Sequence, residues 1–74
     1  MELDTIGKRI RYARIIRGLS QNDLARRVGV YGGSNVCSWE VGGRSPTPST
    51  GKKLADALDC SPGWLLFGEG EKPI

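Results

Sequence analysis

The fold is decided by the stretch "SQNDLARRVGVYGGSNVCSWEVGG", Ser20 to Gly43. Ser20 is a favourable N-cap, and Asp23 three residues later can return a hydrogen bond, as in a capping box. A helix over 21–28 is predicted by the apolar side that follows, which consists of Leu24, Ala25 and Val28. Gly29 then ends the helix.

The second half of the stretch predicts another helix, over about 34–41. Val36 and Trp39 supply its apolar side, and two glycines follow it. Two further glycines, Gly32 and Gly33, stand where this helix should begin. Because glycine tolerates positive φ, they can absorb the turn and let the helix start late, near Gly33 or Ser34.

Three more helices are predicted around this pair, over about 4–17, 48–58 and 62–67. Gly18 ends the first, and Thr47 and Ser61 are candidate N-caps for the others, each with proline at the next position. Their buried sides are expected to contain Leu3, Ile6, Ile10, Ala13, Leu54, Ala55 and Leu58. The sequence therefore predicts an all-α domain of five short helices over 1–68, with a flexible tail over 69–74.

Composition excludes several classes of protein. A chain of 74 residues has room for one small domain and little room for a metabolite pocket. It has no apolar run of membrane-spanning length and no secretory signal at its start, which predicts a cytoplasmic protein. The only two cysteines, Cys37 and Cys60, lie 23 residues apart, and we expect two reduced thiols rather than a disulfide. Because the chain also has no histidine, we expect no metal, cofactor or catalytic centre.

The positive charge is confined to the first two-thirds of the chain. Residues 8–53 contain ten lysines and arginines against two acids, a local net charge of +8, whereas the whole chain carries +3. This distribution fits a surface that neutralises phosphates, and it also fits an ordinary solvated face.

The motifs around the quoted stretch resemble the lambda-repressor-like family of bacterial and phage helix-turn-helix regulators, also called the Xre or Cro/CI family. They are GKRIRYARIIRGLSQNDLARRVGV, VCSWEVG and LADALDCSPGWLLFG, and they cover roughly Ile6 to Gly68. Each is individually modest, but together, in this order and spacing, they are highly specific. The resemblance implies sequence-specific binding of double-stranded DNA by a transcriptional repressor of phage or prophage type, with its third helix in the major groove.

The resemblance also implies contacts with DNA phosphates. In the family the residue after the second helix's cap is often a glutamine that bonds a phosphate, and here it is Gln21; the helix dipole favours an anion there. The candidate phosphate-binding residues are Gln21, Asn22, Arg11, Arg44 and Lys52. We expect five other bases of the segment to be solvated, namely Lys8, Arg9, Arg17, Arg26 and Arg27.

Base reading departs from the family pattern. Between Val30 and Val36 the chain has one residue more than the family usually has, and the glycines replace the long glutamine or arginine common there. Short side chains would then read the bases, with DNA shape carrying more of the specificity. The candidate base-reading residues are Gly33, Ser34, Asn35, Cys37, Ser38 and Tyr31.

Two further expectations concern packing and assembly. The family pairs an arginine of the first helix with the glutamate after the third helix's tryptophan, which implies a structural ion pair between Arg14 and Glu40. "GWLLFG" is apolar all round, so one interpretation is that its short helix caps the core and leaves one ring exposed. The other follows from the resemblance: family members commonly pair through this end, which implies that Leu66 or Phe67 contacts a second copy in a weak homodimer. Such a dimer would bind a palindromic operator with half-sites one turn apart.

Other interpretations remain open at the level of sequence. A protein-interaction module on the same fold, acting as an antitoxin or a corepressor half, fits the loss of long side chains at the glycines. An enzyme has almost no support, because the chain has no nucleophile–base pair and no phosphate loop. Both a complete Cro-like protein and the DNA-binding half of a longer repressor fit the pattern.

Overall fold

A computed structural model describes residues 2–73 of the chain. These residues form five α-helices and no strand, as the sequence predicts. The helices are α1 Ile6–Ile16, α2 Gln21–Val28, α3 Gly33–Val41, α4 Pro48–Ala57 and α5 Pro62–Phe67. None of the helices within 2–73 is long and apolar enough to cross a membrane. The outer ends of the expected domain and tail, Met1 and Ile74, lie outside the described residues.

Helix α1 begins two residues later than the apolar pattern suggests. Thr5 is its N-cap, with extended φ and ψ of −128° and 156°, and its hydroxyl accepts the Lys8 N–H at 3.2 Å. Asp4 lies before the cap, where its carboxylate accepts a hydrogen bond from the Lys8 ammonium at 3.0 Å. That hydrogen bond lowers the pKa of Asp4.

Local capping chemistry also sets the starts of α2 and α4. Ser20 and Asp23 form the expected capping box, each side chain accepting the other's backbone N–H at 3.0 Å. The bonds from Ser20 lower the pKa of Asp23. Thr47 caps α4, since its hydroxyl accepts the Thr50 N–H at 3.3 Å. Ser61 occupies the cap position of α5, but its side chain makes no capping hydrogen bond.

One apolar core joins all five helices. Helix α3 contributes Val36 and Trp39, which pack it against α1 and α2, and α5 contributes Trp64 and Leu65. The remaining buried apolar residues are Ile10, Ala13, Leu24, Ala25, Val28, Leu54, Ala55 and Leu58. Two sides of α3 are therefore distinct: one is fixed in the core, and the other faces outward.

Two arginines expected to be solvated are instead part of the fold. The Arg9 side chain is only 7% exposed as a residue and donates hydrogen bonds to the carbonyls of Leu65 at 2.8 Å, Leu3 at 2.9 Å and Leu66 at 3.3 Å. Arg17 is half-buried and donates to the Leu58 and Asp59 carbonyls at 2.9 and 3.0 Å. The expectation for these two residues was wrong, because the last carbonyls of a helix have no partner within it and attract cationic donors.

The segment after α5 returns to α1. The Tyr12 ring meets Trp64 edge to face, with ring centres 6.2 Å apart, and its hydroxyl donates to the Pro73 carbonyl at 3.5 Å. The Lys72 ammonium lies 5.5 Å from the centre of the same ring, within the range of a cation–π contact.

Candidate nucleic-acid interface

Helices α2 and α3 form the helix-turn-helix, and the turn between them closes on the paired glycines. Helix α3 begins at Gly33, with Gly32 in the N-cap position at φ 78° and ψ 157°. This combination of angles is open essentially to glycine alone. Gly32 therefore gives the turn a conformation that leads directly into α3.

The outward side of α3 carries three of the six candidate base-reading residues. Ser34 and Cys37 are exposed there, and Ser38 is half-buried beside them. Tyr31, in the turn, is 95% exposed. The only acid of α3, Glu40, is engaged in an ion pair, so the outward side presents no free carboxylate.

The other two base-reading candidates, at the start of α3, make hydrogen bonds to α2 and to the preceding turn. The Gly33 N–H donates to Oδ1 of Asn22 at 2.8 Å, which draws the start of α3 against the start of α2. The Asn35 side chain is half-buried and donates from Nδ2 to the Tyr31 carbonyl at 2.8 Å. In this arrangement one amide donor of Asn35 is used by the backbone of the turn.

The candidate phosphate-binding residues occupy two kinds of environment. Arg11, Arg44 and Lys52 are exposed, on α1, on the loop after α3 and in the first half of α4. Gln21 is half-buried and donates from Nε2 to Oε1 of Glu40 at 3.2 Å. Asn22 is exposed, and its Oδ1 accepts the Gly33 N–H.

Arg14 and Glu40 form a two-point ion pair between α1 and α3. Arg14 Nε lies 2.6 Å from Glu40 Oε2, and Arg14 Nη2 lies 3.1 Å from Oε1. Their side chains are 14% and 4% exposed, respectively. Arg14 also donates from Nη1 to the Leu19 carbonyl at 2.9 Å. The pair therefore joins α1, the α1–α2 connection and α3.

The two candidate dimer-contact residues of α5 differ in their exposure to solvent. Leu66 is half-buried over Gly51 of α4, where a Cβ would lie 2.5 Å from Leu66 Cδ2. Phe67 is 71% exposed at the end of α5. Of the two, Phe67 is the side chain that offers free apolar surface.

The hydrogen bonds from α2 to α3 were not anticipated from the sequence. Gln21 and Asn22 look like ordinary first-turn polar residues, and neither is near α3 in the chain. One sequence signal could have indicated the second contact: α3 begins with Gly32 and Gly33, so its start has no side chain of its own to cap it.

The two cysteines do not form a site in the structure. Cys37 is exposed, Cys60 is half-buried, and both are free thiols. Burial raises the pKa of the Cys60 thiol. Across the part of the chain that the structure describes, no group of three or more histidine, cysteine and acidic side chains could hold a metal ion.

These features define a five-helix domain with a helix-turn-helix whose outer helix is anchored on one side and open on the other. The helix-turn-helix family model matches residues 10–65. The chain belongs to this family, in its lambda-repressor-like (Xre) branch.

Known relatives agree with this assignment. The HTH-type transcriptional regulator DicA of Escherichia coli (strain K12) is 41% identical over 68 residues, which are 92% of this chain and 50% of DicA. The HTH-type transcriptional regulator for conjugative element R391 of Providencia rettgeri is 32% identical over 71 residues, 93% of this chain and 31% of that protein. The chain thus spans half or less of these curated relatives.

A solved structure extends the similarity to three dimensions. The P22 c2 repressor, crystallised in complex with the synthetic operator 9T, superposes with a TM-score of 0.81 and 34% sequence identity. The match covers 88% of this chain and 97% of the P22 chain.

Proposed function

We propose that this chain is a sequence-specific double-stranded DNA-binding regulator of transcription, of the phage or prophage repressor type. One observation carries the proposal: α3 is fixed to the core by Val36 and Trp39, and its opposite side is open and free of unpaired acidic side chains. The similarity to the operator-bound P22 c2 repressor supports the same role. In this role α3 enters the major groove.

Short side chains read the base edges in this proposal. Ser34, Cys37 and Ser38 line the outward side of α3, and Tyr31 projects from the turn before it. Serine hydroxyls bond either donors or acceptors on bases, so each discriminates less than a two-point contact from a longer side chain. Local DNA shape then supplies a larger share of the sequence preference.

Phosphate contacts supply most of the affinity. The exposed cations Arg11, Arg44 and Lys52 are the proposed ligands, together with the positive end of the α2 dipole at Gln21. Glu40 does not oppose them, because Arg14 neutralises its charge. Residues 8–53, with their net charge of +8, thus present positive charge to the DNA backbone.

We further propose a weak homodimer that binds a palindromic operator. Phe67 would contact the second copy, since it is the exposed apolar residue of α5. The chain would act in the cytoplasm of a bacterium or a phage-infected bacterium, without a cofactor and without catalysis.

A protein-interaction module, such as an antitoxin or a corepressor half, is the second candidate. The observation that favours it is that Gly33 has no side chain and that the Asn35 side chain bonds the Tyr31 carbonyl, which leaves few side chains of α3 for reading bases. This candidate predicts little affinity for DNA.

Fluorescence anisotropy with a duplex of mixed sequence, across a salt series, tests the proposal. We expect binding that weakens steeply with salt, and Arg44→Ala and Lys52→Ala should each lower the magnitude of the slope by about 1. Lys72→Ala is the control, because that ammonium lies against Tyr12, and its slope should match the wild type. Folded protein that does not bind at low salt would favour the interaction module.

A further inference from the structure

Two consecutive residues at the start of α2 bind the two ends of α3. Gln21 donates to Glu40 near the end of α3, at 3.2 Å, and Asn22 accepts the N–H of Gly33, the first residue of α3, at 2.8 Å. The first turn of α2 therefore restrains α3 at both ends. The bond from Asn22 concerns the end that carries the base-reading candidates.

The start of α3 depends on Asn22 because it has no local cap. Its N-cap residue is Gly32, which has no side chain, and the structure shows no side-chain capping bond from that position. The first four N–H groups of a helix need partners outside the helix. Asn22, eleven residues earlier, supplies the partner for the first of them.

Gly33 is what allows Asn22 to come this close. A Cβ on Gly33 would lie 2.5 Å from Asn22 Oδ1, 3.1 Å from the Asn22 backbone nitrogen and 3.2 Å from the Gln21 carbonyl carbon. Two of these three atoms belong to the backbone of α2 and cannot move as a side chain would. The absence of a side chain at Gly33 and the capping bond from Asn22 are thus parts of one arrangement.

A second asparagine stabilises the turn that precedes Gly33. Asn35 Nδ2 donates to the Tyr31 carbonyl at 2.8 Å, which bridges the turn from the first half of α3. The turn is therefore held by two asparagine contacts. One of them, from Asn22, ties it to another helix.

We propose that Asn22 is a positioning residue for DNA recognition: by capping α3 at Gly33 it sets where the recognition helix starts and how Ser34 and Ser38 meet the bases. The inference rests on the proposed DNA-binding function. It gives Asn22 a role separate from that of a phosphate ligand, because the cap uses the acceptor Oδ1 whereas a phosphate would be bound by the donor Nδ2. A phosphate ligand supports binding to every sequence, whereas a positioning residue supports the preferred sequence above the others.

The first arm of the test is NMR of the free protein. In Asn22→Ala the Gly33 amide proton should move upfield as its hydrogen bond is lost. Asn22→Asp keeps a carboxylate oxygen as acceptor and should return the downfield position. Asn35→Ala removes the other asparagine contact and should leave the Gly33 proton near its wild-type position. An unchanged Gly33 proton in Asn22→Ala would overturn the cap.

The second arm compares binding to the best duplex from a random pool with binding to a scrambled duplex. Asn22→Ala should lower the ratio of the two affinities about tenfold, as loss of a helix cap is enough to do, and leave the salt slope unchanged. Asn22→Asp should recover the ratio at lower overall affinity, because it adds a negative charge near phosphate. Lys52→Ala should lower both affinities together and reduce the slope.

Two results would overturn the inference alone. If Asn22→Ala lowers both affinities equally, Asn22 is a phosphate ligand, which supports binding to every sequence alike. If both affinities are unchanged, its contact with Gly33 has no bearing on recognition. A wild-type protein that prefers no duplex would instead overturn the proposed function and the recognition role that depends on it, while the Gly33 proton still decides whether Asn22 caps α3.

Discussion

Arg14 of α1 donates two hydrogen bonds to the Glu40 carboxylate of α3, from Nε to Oε2 at 2.6 Å and from Nη2 to Oε1 at 3.1 Å. Gln21 of α2 adds a third hydrogen bond to the same carboxylate at 3.2 Å. One almost fully buried charge thus receives donors from both helices that support α3. Helix α3 is therefore attached to its neighbours through this carboxylate as well as through apolar packing.

Arg14→Met should lower the free energy of unfolding by about 3 kcal/mol, because it leaves the buried Glu40 carboxylate without its cation. Urea denaturation at neutral pH measures the change. The double variant Arg14→Met/Glu40→Met should recover most of the loss, since it removes the stranded charge. If Arg14→Met lowers the free energy of unfolding by less than about 1 kcal/mol, the Arg14–Glu40 pair contributes no more than an exposed ion pair, which would contradict this prediction.

Arg9→Met should lower the free energy of unfolding by about 3 kcal/mol, because three backbone carbonyls lose a charged donor. Two of these carbonyls, those of Leu65 and Leu66, lie at the end of α5 and have no partner within the helix. Arg11→Met is the matched control on the same helix. Its side chain is exposed, so its stability should stay within about 0.5 kcal/mol of wild type in the same urea titration. If Arg9→Met and Arg11→Met change the free energy of unfolding by the same small amount, Arg9 is not a structural residue.

Gly7→Ala should cost about 2 kcal/mol although alanine favours helices, because α1 crosses α3 at this residue. A Cβ there would lie 2.3 Å from the Trp39 carbonyl oxygen and 2.7 Å from that of Glu40. Thermal unfolding followed by circular dichroism tests this. For comparison, Gly43→Ala places its Cβ 3.8 Å from the Ser38 carbonyl oxygen, an ordinary contact, and should unfold near the wild-type temperature.

Phe67→Ser should weaken self-association without unfolding the monomer, because the ring is 71% exposed and lies outside the core. Sedimentation velocity over a concentration series measures the association, and circular dichroism checks the fold. Val41→Ser is the control, since Val41 is also exposed, at 77%, but lies on α3. If Phe67→Ser and wild type sediment alike at high concentration, α5 is not the contact between copies.

Features that depend on neighbours in the chain could be predicted from the sequence. The capping box at Ser20 and the Thr47–Pro48 start of α4 involve residues within one turn of each other, so their patterns are visible in the sequence. The buried sides of the helices follow from the 3.6-residue period for the same reason. The start of α1 does not follow from the apolar period, because it depends on Thr5, whose extended backbone and hydroxyl cap the helix.

Features that depend on distant residues could not be predicted in this way. Arg9 is 56 residues from the Leu65 carbonyl that it binds, and nothing around it in the chain distinguishes it from the exposed Arg11. The contact between Asn22 and Gly33 likewise exists only once α2 and α3 have packed. Among the candidate site residues, the sequence could suggest which belong to α3 but not which of them the turn would engage.

Selection of bound sequences from a random pool of double-stranded DNA is the most direct test of the central claim, that α3 reads DNA. The account predicts enrichment of one palindromic site whose half-site centres lie about one helical turn apart, and a changed preference when Ser34 or Ser38 is replaced. Binding without enrichment, or no binding by folded protein at low salt, would contradict it.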